Sequence, residues 1–444
     1  MDDIYTQWHS SLVRKKQRKR TYKHFDKALD LDDKQDFAMV IKAIENISSH
    51  QFLPFLKFIK KDIRYRKDET GTPKRRIKPR PIMYASHLDA HIYSFFSFLW
   101  SQVYEKYIDR NGFTESVIAY RKITDNGVSQ GKSNIHFARE VFEYIQRHGN
   151  CVAIVADITK FFDNLKHRIL KEQLCAVFGV TKLGDSEYKV LRSLTAFRFI
   201  LKDKSKHGAY SQLMKQIEKG GKGKSLPQTV YESGKRIIKK NKMVVGIPQG
   251  SPISGLLANI YLSTFDAAIR STFPKDLYRR YSDDIILVCS IDSAKERLIK
   301  LKEEIKEFAL DINASKVSLV KFERQLDGSV ICTEVNDGNG SPVKKKYIDY
   351  LGFEFDGHSV LIRNKTLQKS YQKAHKRIRK YYNRQKSNYE HMTHRHKEKY
   401  KGGSYMSNAE AAMQALGSKI DSQQKKFKKF IRKNKRSAGD SVIK

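Results

Sequence analysis

Two adjacent aspartates interrupt an apolar stretch at residues 278–288, and this feature most limits how the chain folds. The Ile, Leu, Val and Tyr residues on its flanks favour strands. Two carboxylates in such a run repel each other and resist burial, unless a cation neutralises them or a turn exposes them. The pattern therefore predicts a hairpin that presents Asp283 and Asp284, although an ordinary Asp-Asp turn between two strands would look the same.

A second carboxylate ends another apolar strand. Residues 151–158 read CVAIVADI, so Asp157 lies at the end of a predicted strand. A strand-terminal aspartate can meet Asp283 across a sheet. Asp163, six residues later, falls in a predicted helix, where it is expected to cap or pair locally.

A loop rich in Gly and Pro follows. Residues 246–254 read GIPQGSPIS and precede an apolar helix predicted for 256–262. Two Gly and two Pro fix a tight loop with exposed backbone N–H groups, and Gln249 offers both a donor and an acceptor at its tip. Such a loop suits contact with a sugar or a base. A Pro/Gly turn before a helix is common, so the loop gains its meaning from the aspartate segments on either side.

Taken in order, the three segments resemble motifs A, B and C of reverse transcriptases and are most similar to the prokaryotic branch. They read Asp-x4-Phe, then PQGSP-x2-S, then Tyr-x-Asp-Asp, and the resemblance extends over residues 74–355. It implies an α+β fold, a right-hand polymerase with fingers and a palm of mixed or antiparallel sheet, and a basic helical thumb. It also implies an RNA-directed DNA polymerase, a nucleotidyltransferase that uses dNTPs and an RNA template to make a DNA product.

The catalytic roles of the family fall on matching residues here. The resemblance makes Asp157, Asp283 and Asp284 the ligands of two Mg²⁺ ions, which Mn²⁺ could replace, and hard carboxylate oxygens suit such ions. Lys316, in Leu-x2-Asn-x2-Lys, resembles the motif D lysine that protonates the departing pyrophosphate. A lysine does this only if its pKa matches the task.

The resemblance also implies which residues bind the dNTP. Phe162 matches the aromatic residue that packs under the sugar and excludes a 2′-hydroxyl, although a core aromatic beside Phe161 would read the same way. The remaining dNTP contacts are the main chain at Ile158, the amide of Gln249, Arg76 of the first fingers motif and Arg121 of the second. Arginine suits phosphate because its bonds are bidentate and always charged.

Other segments are expected to hold nucleic acid. The primer grip of the family, which lies at the hinge between palm and thumb, is matched here by Tyr350, Leu351, Gly352 and Phe353. Two basic runs are predicted to bind phosphates, with a solvated surface as the alternative; they contain Arg14, Lys15, Lys16, Arg18, Lys19, Arg20, Lys74 and Arg75.

Composition favours a polyanionic partner. Lys and Arg number 87 against 48 Asp and Glu, a formal net charge of +39 that attracts nucleic acid. No run of about 18 apolar residues predicts a membrane span, and the first residues lack the apolar stretch of a signal peptide. We therefore expect a cytoplasmic protein without a membrane partner, and the resemblance implies that the cytoplasm is bacterial. The four cysteines are scattered and predict neither a disulfide framework nor a zinc site.

Three regions are predicted along the chain. Residues 1–66 form a helical basic N-terminal region, 67–355 the fingers and palm, and 356–444 a basic helical thumb and tail. Within the second region, 68–81 is predicted to be a loop and 202–242 a flexible basic insertion. Strands are predicted at 151–158, 242–247, 279–290, 317–322 and 347–355.

Sequence features that are absent from this chain limit which branch of the family it resembles. Asp157 and Gln249 lie 92 positions apart, and the sequence lacks RNase H-like acidic residues, a Cys/His endonuclease and the signatures of retron enzymes. The chain is thus expected to resemble the stand-alone "unknown group" and abortive-infection enzymes of anti-phage defence, whose template is a dedicated structured noncoding RNA, and not a retron or group II intron maturase. Two alternatives remain: an RNA-dependent RNA polymerase, and a catalytically silent RNA-binding protein that retains the palm.

Overall fold

The computed structural model describes residues 2–12, 15–67, 73–124, 131–202, 205, 208–219, 223–338, 340–342 and 346–396. The chain divides into two compact units, Met1–Lys346 and Tyr347–Lys444. The strands of the first unit are β1 (Phe55–Lys67), β2 (Pro73–Tyr84), β3 (Cys151–Asp157), β4 (Arg198–Leu201), β5 (Lys239–Lys240), β6 (Leu277–Tyr281), β7 (Asp284–Cys289), β8 (Ser318–Arg324) and β9 (Val330–Asp337).

Helices surround these strands and complete the α+β fold that was predicted. They are α1 (Asp2–Ser11), α2 (Lys15–Arg18), α3 (Lys34–Glu45), α4 (His87–Arg110), α5 (Asn134–His148), α6 (Phe161–Asn164), α7 (His167–Phe178), α8 (Asp185–Thr195), α9 (Ala209–Lys219), α10 (Leu226–Ser233), α11 (Ser254–Tyr261), α12 (Ser263–Thr272) and α13 (Ala294–Glu307). In the described part of the chain, no helix combines the length and the apolar character needed to cross a membrane.

The central sheet has five antiparallel strands in the order β6-β7-β3-β8-β9. The central strand β3 is apolar and buried almost throughout, because it has a neighbour on each side and packing on both faces. The strands predicted at 151–158 and 317–322 are confirmed, and the one predicted at 279–290 is divided by the turn between β6 and β7. Residues 242–247 do not form a strand and make only an isolated bridge, between Lys166 and Val245.

Helix α4 is the longest element of the core. Ser86 caps its N-terminus by accepting the amide hydrogen of Asp89 at 3.2 Å. Its inward side chains include Tyr93, Trp100 and Tyr104, all at most 3% exposed. Aromatic side chains of this size each bury 150–250 Å² as a rough range, so this helix anchors the unit.

The basic segment after residue 66 is a strand, and the predicted loop is wrong here. β2 pairs with β1 in antiparallel register from Leu56 opposite Tyr84 to Lys67 opposite Pro73. The prolines in β2 suggested a loop, but β2 is the edge of the sheet β2-β1-β4-β5, where a missing N–H can face away from the ladder. The helical region predicted for 1–66 is also wrong at its end, because β1 begins at Phe55.

The N-terminal region packs on the core. Trp8 of α1 is fully buried, meets the ring of Phe95 edge-to-face at 5.5 Å and donates its indole N–H to Ser94 Oγ at 3.3 Å. Residues 1–66 therefore belong to the first compact unit, and the predicted boundary at residue 66 does not separate two units.

The described part of the insertion is also folded. α9 and α10 contribute Tyr210, Leu213 and Val230 to a second apolar cluster, which also contains Leu56 of β1 and Ile200 of β4. The polar composition hid these apolar residues, of which Tyr210 and Leu213 lie three positions apart on α9 and Val230 lies on α10, and together they pack on a neighbouring sheet.

The second unit contains a three-stranded antiparallel sheet and one long helix. Its strands are β10 (Ile348–Tyr350), β11 (Phe353–Phe355) and β12 (Val360–Ile362), and its helix is α14 (Asn364–His396). The predicted boundary at residue 355 falls within this unit, whose division from the first lies at 346. The predicted basic helical region is helical through His396, and residues 397–444 lie outside the described residues.

Candidate active site

The predicted aspartates meet where β3 ends and β7 begins. Asp157, the last residue of β3, is paired in register with Asp284, the first residue of β7. Directly opposed residues share one face of a sheet. The carbonyl oxygen of Asp283, in the β6–β7 turn, accepts the amide hydrogen of Ile158 at 2.9 Å. The structure therefore brings the backbones of all three aspartates to one strand end.

The turn that carries Asp283 has an uncommon backbone. Tyr281 pairs with Asp284, so Ser282 and Asp283 form a two-residue hairpin loop. Ser282 is 3% exposed and has φ 61°, a left-handed conformation that costs a residue with a Cβ about 1–2 kcal/mol. A positive φ at the first loop position matches the twist of the paired strands. Surrounding contacts must therefore hold this turn in place.

Asp157 is fixed by the segment that precedes β8. The amide hydrogen of Asn313 is donated to the carbonyl oxygen of Asp157 at 2.8 Å. This bond places the 3₁₀ turn Ala314–Lys316 beside β3, and the Lys316 ammonium donates to Asp157 Oδ1. Lys316, which motif D predicts to be a proton donor, thus contacts the carboxylate of Asp157.

The electrostatics of the two carboxylates are coupled. Burial raises the pKa of Asp283 above its ordinary value, and the negative charge of Asp157 raises it further. Its own amide hydrogen, the charge of Lys316 and a hydrogen bond from Ser282 each act to lower that pKa. Two carboxylates whose charges oppose each other at a partly buried site form a strained pair that a cation would stabilise.

The donor set fits a hard divalent cation. Among the described residues, no group of three or more His, Cys, Asp or Glu side chains could hold a metal ion. Mg²⁺ does not need such a group, because it binds through one or two carboxylates and keeps positions for water and substrate phosphate. The carboxylates of Asp157 and Asp283 would supply those ligands, and a bound cation would relieve the repulsion between them.

A buried ion pair lies beneath the turn. Arg280 of β6 and Asp266 of α12 are both fully buried. The guanidinium donates to both carboxylate oxygens, at 2.8 Å through Nε and 2.5 Å through Nη2. Tyr278 adds a hydroxyl hydrogen bond to Asp266 at 2.7 Å. Sequence analysis missed this pair, because nothing in residues 14 positions apart on different elements indicates contact.

The pair supports the aspartate turn directly. Nη1 of Arg280 donates to the carbonyl oxygen of Ser282 at 3.2 Å and to Asn259 Oδ1 at 3.4 Å. Burial acts to lower the pKa of Arg280, but the charge of Asp266 and the hydrogen bonds to it outweigh burial and leave that pKa above its ordinary value. The guanidinium therefore stays charged, and it fixes the strained residue before Asp283.

The GIPQG loop is held by backbone contacts. The amide hydrogen of Met83 is donated to the carbonyl oxygen of Gln249 at 2.8 Å. Gly250 has φ 119°, and a Cβ there would lie 2.5 Å from the carbonyl oxygen of Met83. Only glycine fits this approach. The Gln249 amide makes a long contact of 3.5 Å with Asp163, which lies 86 positions earlier in the chain and whose pKa is raised by burial. This contact is not local, so the local cap or pair expected for Asp163 stays a prediction.

The predicted sugar-contact residue lies beside an aromatic residue that the sequence did not single out. Phe162 is partly buried, and its ring meets that of Tyr120 edge-to-face at 6.4 Å. The Tyr120 hydroxyl lies 3.3 Å from Ser282 Oγ. The ring of Tyr120 therefore links the Phe162 segment to the aspartate turn. The sequence analysis predicted a dNTP contact for the neighbouring Arg121. The position of Tyr120 beside the aspartate turn is evident only from its three-dimensional contacts.

Arg121 is engaged in structural contacts. Its guanidinium donates to both carboxylate oxygens of Glu105, at 2.8 and 2.6 Å, and to the carbonyl oxygens of Thr114 and Val117, each at 2.5 Å. Its side chain is 4% exposed. The phosphate contact predicted for Arg121 requires these bonds to break. The amide of Ile158 is likewise already bonded to Asp283.

The fingers hairpin aligns positive residues across its two strands. Arg64 lies opposite Arg76, Arg66 opposite Lys74 and Lys60 opposite Arg80. The side chains of Arg64, Arg66, Arg75 and Arg76 lie outside the described residues. The nucleic-acid role predicted for this segment and the dNTP contact predicted for Arg76 therefore stay predictions. Arg75 lies in the same strand, opposite Tyr65.

The N-terminal basic run is partly neutralised within the protein. Arg18 lies 3.3 Å from Asp32, and Lys19 lies 2.8 Å from Asp30. Burial lowers the pKa of Arg20. Arg14 and the side chains of Lys15 and Lys16 lie outside the described residues. The phosphate-binding role of this run stays a prediction.

The predicted primer grip forms a tight hairpin in the second unit. Tyr350 ends β10, Phe353 begins β11, and the two are paired in register. Leu351 and Gly352 form the connecting turn with φ of 45° and 99°. The four residues therefore lie together at one hairpin tip, and their contact with a primer stays a prediction.

Comparison with known proteins agrees with this geometry. Residues 103–355 match the family described as "Reverse transcriptase (RNA-dependent DNA polymerase)", and no curated protein matches the chain. Similar solved structures include apo telomerase from Candida tropicalis, truncated from the C-terminal domain, with 12% identity and TM-score 0.40, covering 72% of this chain and 58% of that one. Telomerase from Candida albicans in complex with a TWJ fragment of telomeric RNA has 12% identity and TM-score 0.36, covering 74% and 51%. The chain thus spans little more than half of these telomerases, and likeness at this level carries no argument about activity.

Proposed function

The chain belongs to the reverse transcriptase family, and on this premise we propose that it joins dNTPs on an RNA template, with two Mg²⁺ ions bound at Asp157 and Asp283. One observation carries the proposal: two carboxylates with coupled charges lie at one strand end, beside the ammonium of Lys316. Reverse transcriptases use divalent metal ions, and the carboxylate pair suits Mg²⁺, with Mn²⁺ as a substitute.

The residues of the site divide the work of nucleotide addition. Divalent ions bound there would activate the primer hydroxyl and neutralise charge on the triphosphate. Asp157 and Asp283 supply the anionic oxygens, and the hydrogen bond between the Ile158 amide and the Asp283 carbonyl fixes their separation. Lys316, already at Asp157, supplies a proton to the departing pyrophosphate.

The choice of sugar would depend on Phe162. Its ring is partly buried, packs against the hydrophobic core and meets the ring of Tyr120. A bulky ring under the sugar leaves no room for a 2′-hydroxyl, which favours dNTPs over NTPs. Phe162→Val should therefore allow incorporation of ribonucleotides. Unchanged discrimination between dNTPs and NTPs would indicate that Phe162 is only a core residue.

Primer extension by the purified protein tests the proposal. Asp157→Asn and Asp283→Asn should each abolish Mg²⁺-dependent dNTP incorporation while RNA binding persists, because each removes a metal ligand and keeps the side-chain shape. Asp292→Asn, an exposed aspartate just beyond the far end of β7, is the matched control. Undiminished synthesis in either site variant refutes the metal assignment. Incorporation of NTPs in preference to dNTPs would favour an RNA polymerase, and wild-type protein that binds RNA without synthesis would favour a silent RNA-binding protein.

We further propose that the template is one dedicated, structured noncoding RNA. The net charge of +39 and the opposed basic residues of β1 and β2 support tight binding of RNA phosphates. Shape supplies the selection among RNAs. RNA that co-purifies with the protein should be one dominant species; a random mixture of host transcripts would refute this.

The biological role we propose is bacterial anti-phage defence, carried out in the cytoplasm. Its support is the resemblance of the three motifs to the prokaryotic branch, together with the missing retron, RNase H and endonuclease markers and the 92 positions that separate Asp157 from Gln249. Phage should form fewer plaques on bacteria that express the protein and the noncoding RNA encoded beside its gene. The Asp283→Asn variant should restore the number of plaques. Equal plaque numbers with wild type and variant would exclude defence by DNA synthesis.

A further inference from the structure

Tyr120 combines two properties that core packing does not explain. Its backbone has φ 59°, a left-handed conformation that bulky residues rarely adopt, and its side chain is 55% exposed. A strained residue persists only where its surroundings enforce the conformation, and such residues cluster at functional sites. The exposure of the ring shows that hydrophobic burial is not what enforces it.

The surroundings of Tyr120 are the catalytic segments themselves. The ring meets Phe162 edge-to-face at 6.4 Å with an interplanar angle of 81°, and the hydroxyl lies 3.3 Å from Ser282 Oγ. On a third side lies helix α11, which follows the GIPQG loop. A Cβ placed on Gly255 of this helix would lie 2.6 Å from the Tyr120 ring, so a glycine leaves the space that the ring fills.

The backbone next to Tyr120 is also tied to the site. The carbonyl oxygen of Ala119 accepts from the side-chain amide of Asn259 at 2.8 Å, and Asn259 in turn accepts from Arg280. The amide hydrogen of Ile118 is donated to the carbonyl oxygen of Arg280 at 3.0 Å. The Tyr120 ring is therefore held in a fixed position relative to the aspartate turn and to Phe162.

We propose that Tyr120 is a specificity-determining residue of the nucleotide site, and this rests on the proposed function. The exposed ring forms a wall of the nucleoside triphosphate site and holds the Phe162 ring from its edge. An unsupported Phe162 ring could tilt away from the sugar and make room for a 2′-hydroxyl. Tyr120 thus acts on the choice between deoxyribose and ribose through Phe162.

The expected effect follows from the strength of one aromatic contact. An edge-to-face pair gives a preference of about 2- to 12-fold between two ring positions. Removal of the Tyr120 ring should therefore lower the ratio of kcat/KM for dNTP over NTP by about 2- to 12-fold. Loss of the hydroxyl alone, in Tyr120→Phe, leaves the ring contact intact and should change the ratio less.

The test compares this ratio among matched variants by single-nucleotide primer extension. Tyr120→Ala removes the ring, whereas Gly255→Ala displaces the ring without reaching the substrate, and both should lower the ratio. Tyr188→Ala, which truncates an exposed tyrosine on α8, should leave it unchanged. A purely structural role would lower kcat/KM for both substrates equally and leave the ratio unchanged, and that result overturns the proposal.

A double variant separates support of Phe162 from direct contact with the sugar. In a Phe162→Ala background, Tyr120→Ala should lower the ratio no further, because the ring that Tyr120 holds is already gone. A full additional loss would show that Tyr120 acts without Phe162 and would overturn the inference. Wild-type protein that incorporates no dNTP would instead refute the proposed function, so the two failures are distinguishable.

Discussion

The substitution Asp266→Asn tests whether the buried ion pair holds the aspartate turn. Asn has nearly the shape of Asp, so the change creates no cavity and removes only the negative charge. Arg280 would then be a fully buried cation, with its former charge partner at 2.8 and 2.5 Å replaced by a neutral amide. Breaking a buried pair from one side costs about 3–5 kcal/mol.

The cost in stability comes from leaving the Arg280 charge buried without a partner, and it is not the free energy that the ion pair itself contributes. Replacing both partners with apolar residues of similar volume, as in Arg280→Met with Asp266→Leu, leaves no buried charge and is often neutral or stabilising. The double variant should therefore regain most of the stability that Asp266→Asn loses. It should not regain full activity, since Ser282 loses the Arg280 hydrogen bond that supports its strained turn.

Urea unfolding, with the slope of the transition compared between variants, measures the free energy of unfolding. Primer extension on the same preparations measures activity. Arg139→Met, which breaks an exposed ion pair with Glu143, is the control and should leave the midpoint unchanged. A cost below about 1 kcal/mol for Asp266→Asn, or a double variant as unstable as the single one, would refute the reasoning.

Three further results are expected. Gly250→Ala should destabilise by about 1–3 kcal/mol in urea unfolding, because φ 119° and the Met83 carbonyl both oppose a Cβ, whereas Gly328→Ala, with open space around it, is the control and should cost less. Because its pKa is raised, Asp283 holds its proton more tightly in the folded protein, so the stability it contributes is lost as pH rises through that pKa. Asp283→Asn should therefore raise the melting temperature of the metal-free protein at neutral pH. Mg²⁺ should raise the melting temperature of the wild-type protein but not that of the variant. Lys316→Ala should lower kcat by about 100-fold with little change in KM, and unchanged kcat would remove its role as proton donor.

The local part of the site could be predicted from sequence. Apolar strands interrupted by aspartates specify both the strand ends and the exposed turn, so Asp157, Asp283 and Asp284 were placed at strand ends, and the structure brings them together. Lys316 was identified by motif spacing, and it does lie at Asp157. These features are encoded by neighbouring residues, which is why they can be read without a fold.

Segments with mixed signals were misread. β2 carries prolines and many cations, both of which indicate loops, yet an edge position and pairing with β1 make it a strand. The insertion has a polar composition, yet Leu213 and Val230 are enough to anchor its helices on a shared apolar cluster. In both cases packing with distant residues outweighed local propensity.

By itself, the sequence predicted which carboxylates and which lysine lie together at the candidate site, and the order of strand, loop and hairpin that carries them. Only the tertiary structure decided how that site is supported, since it brought Asp266 beneath Arg280 and Tyr120 against Phe162. The physical reason is that a turn or strand depends on adjacent residues, whereas a buried charge or an aromatic contact depends on which distant segments the sheet brings together. The strained residues Ser282 and Tyr120 became visible in the same way, because their contacts come from elsewhere in the chain.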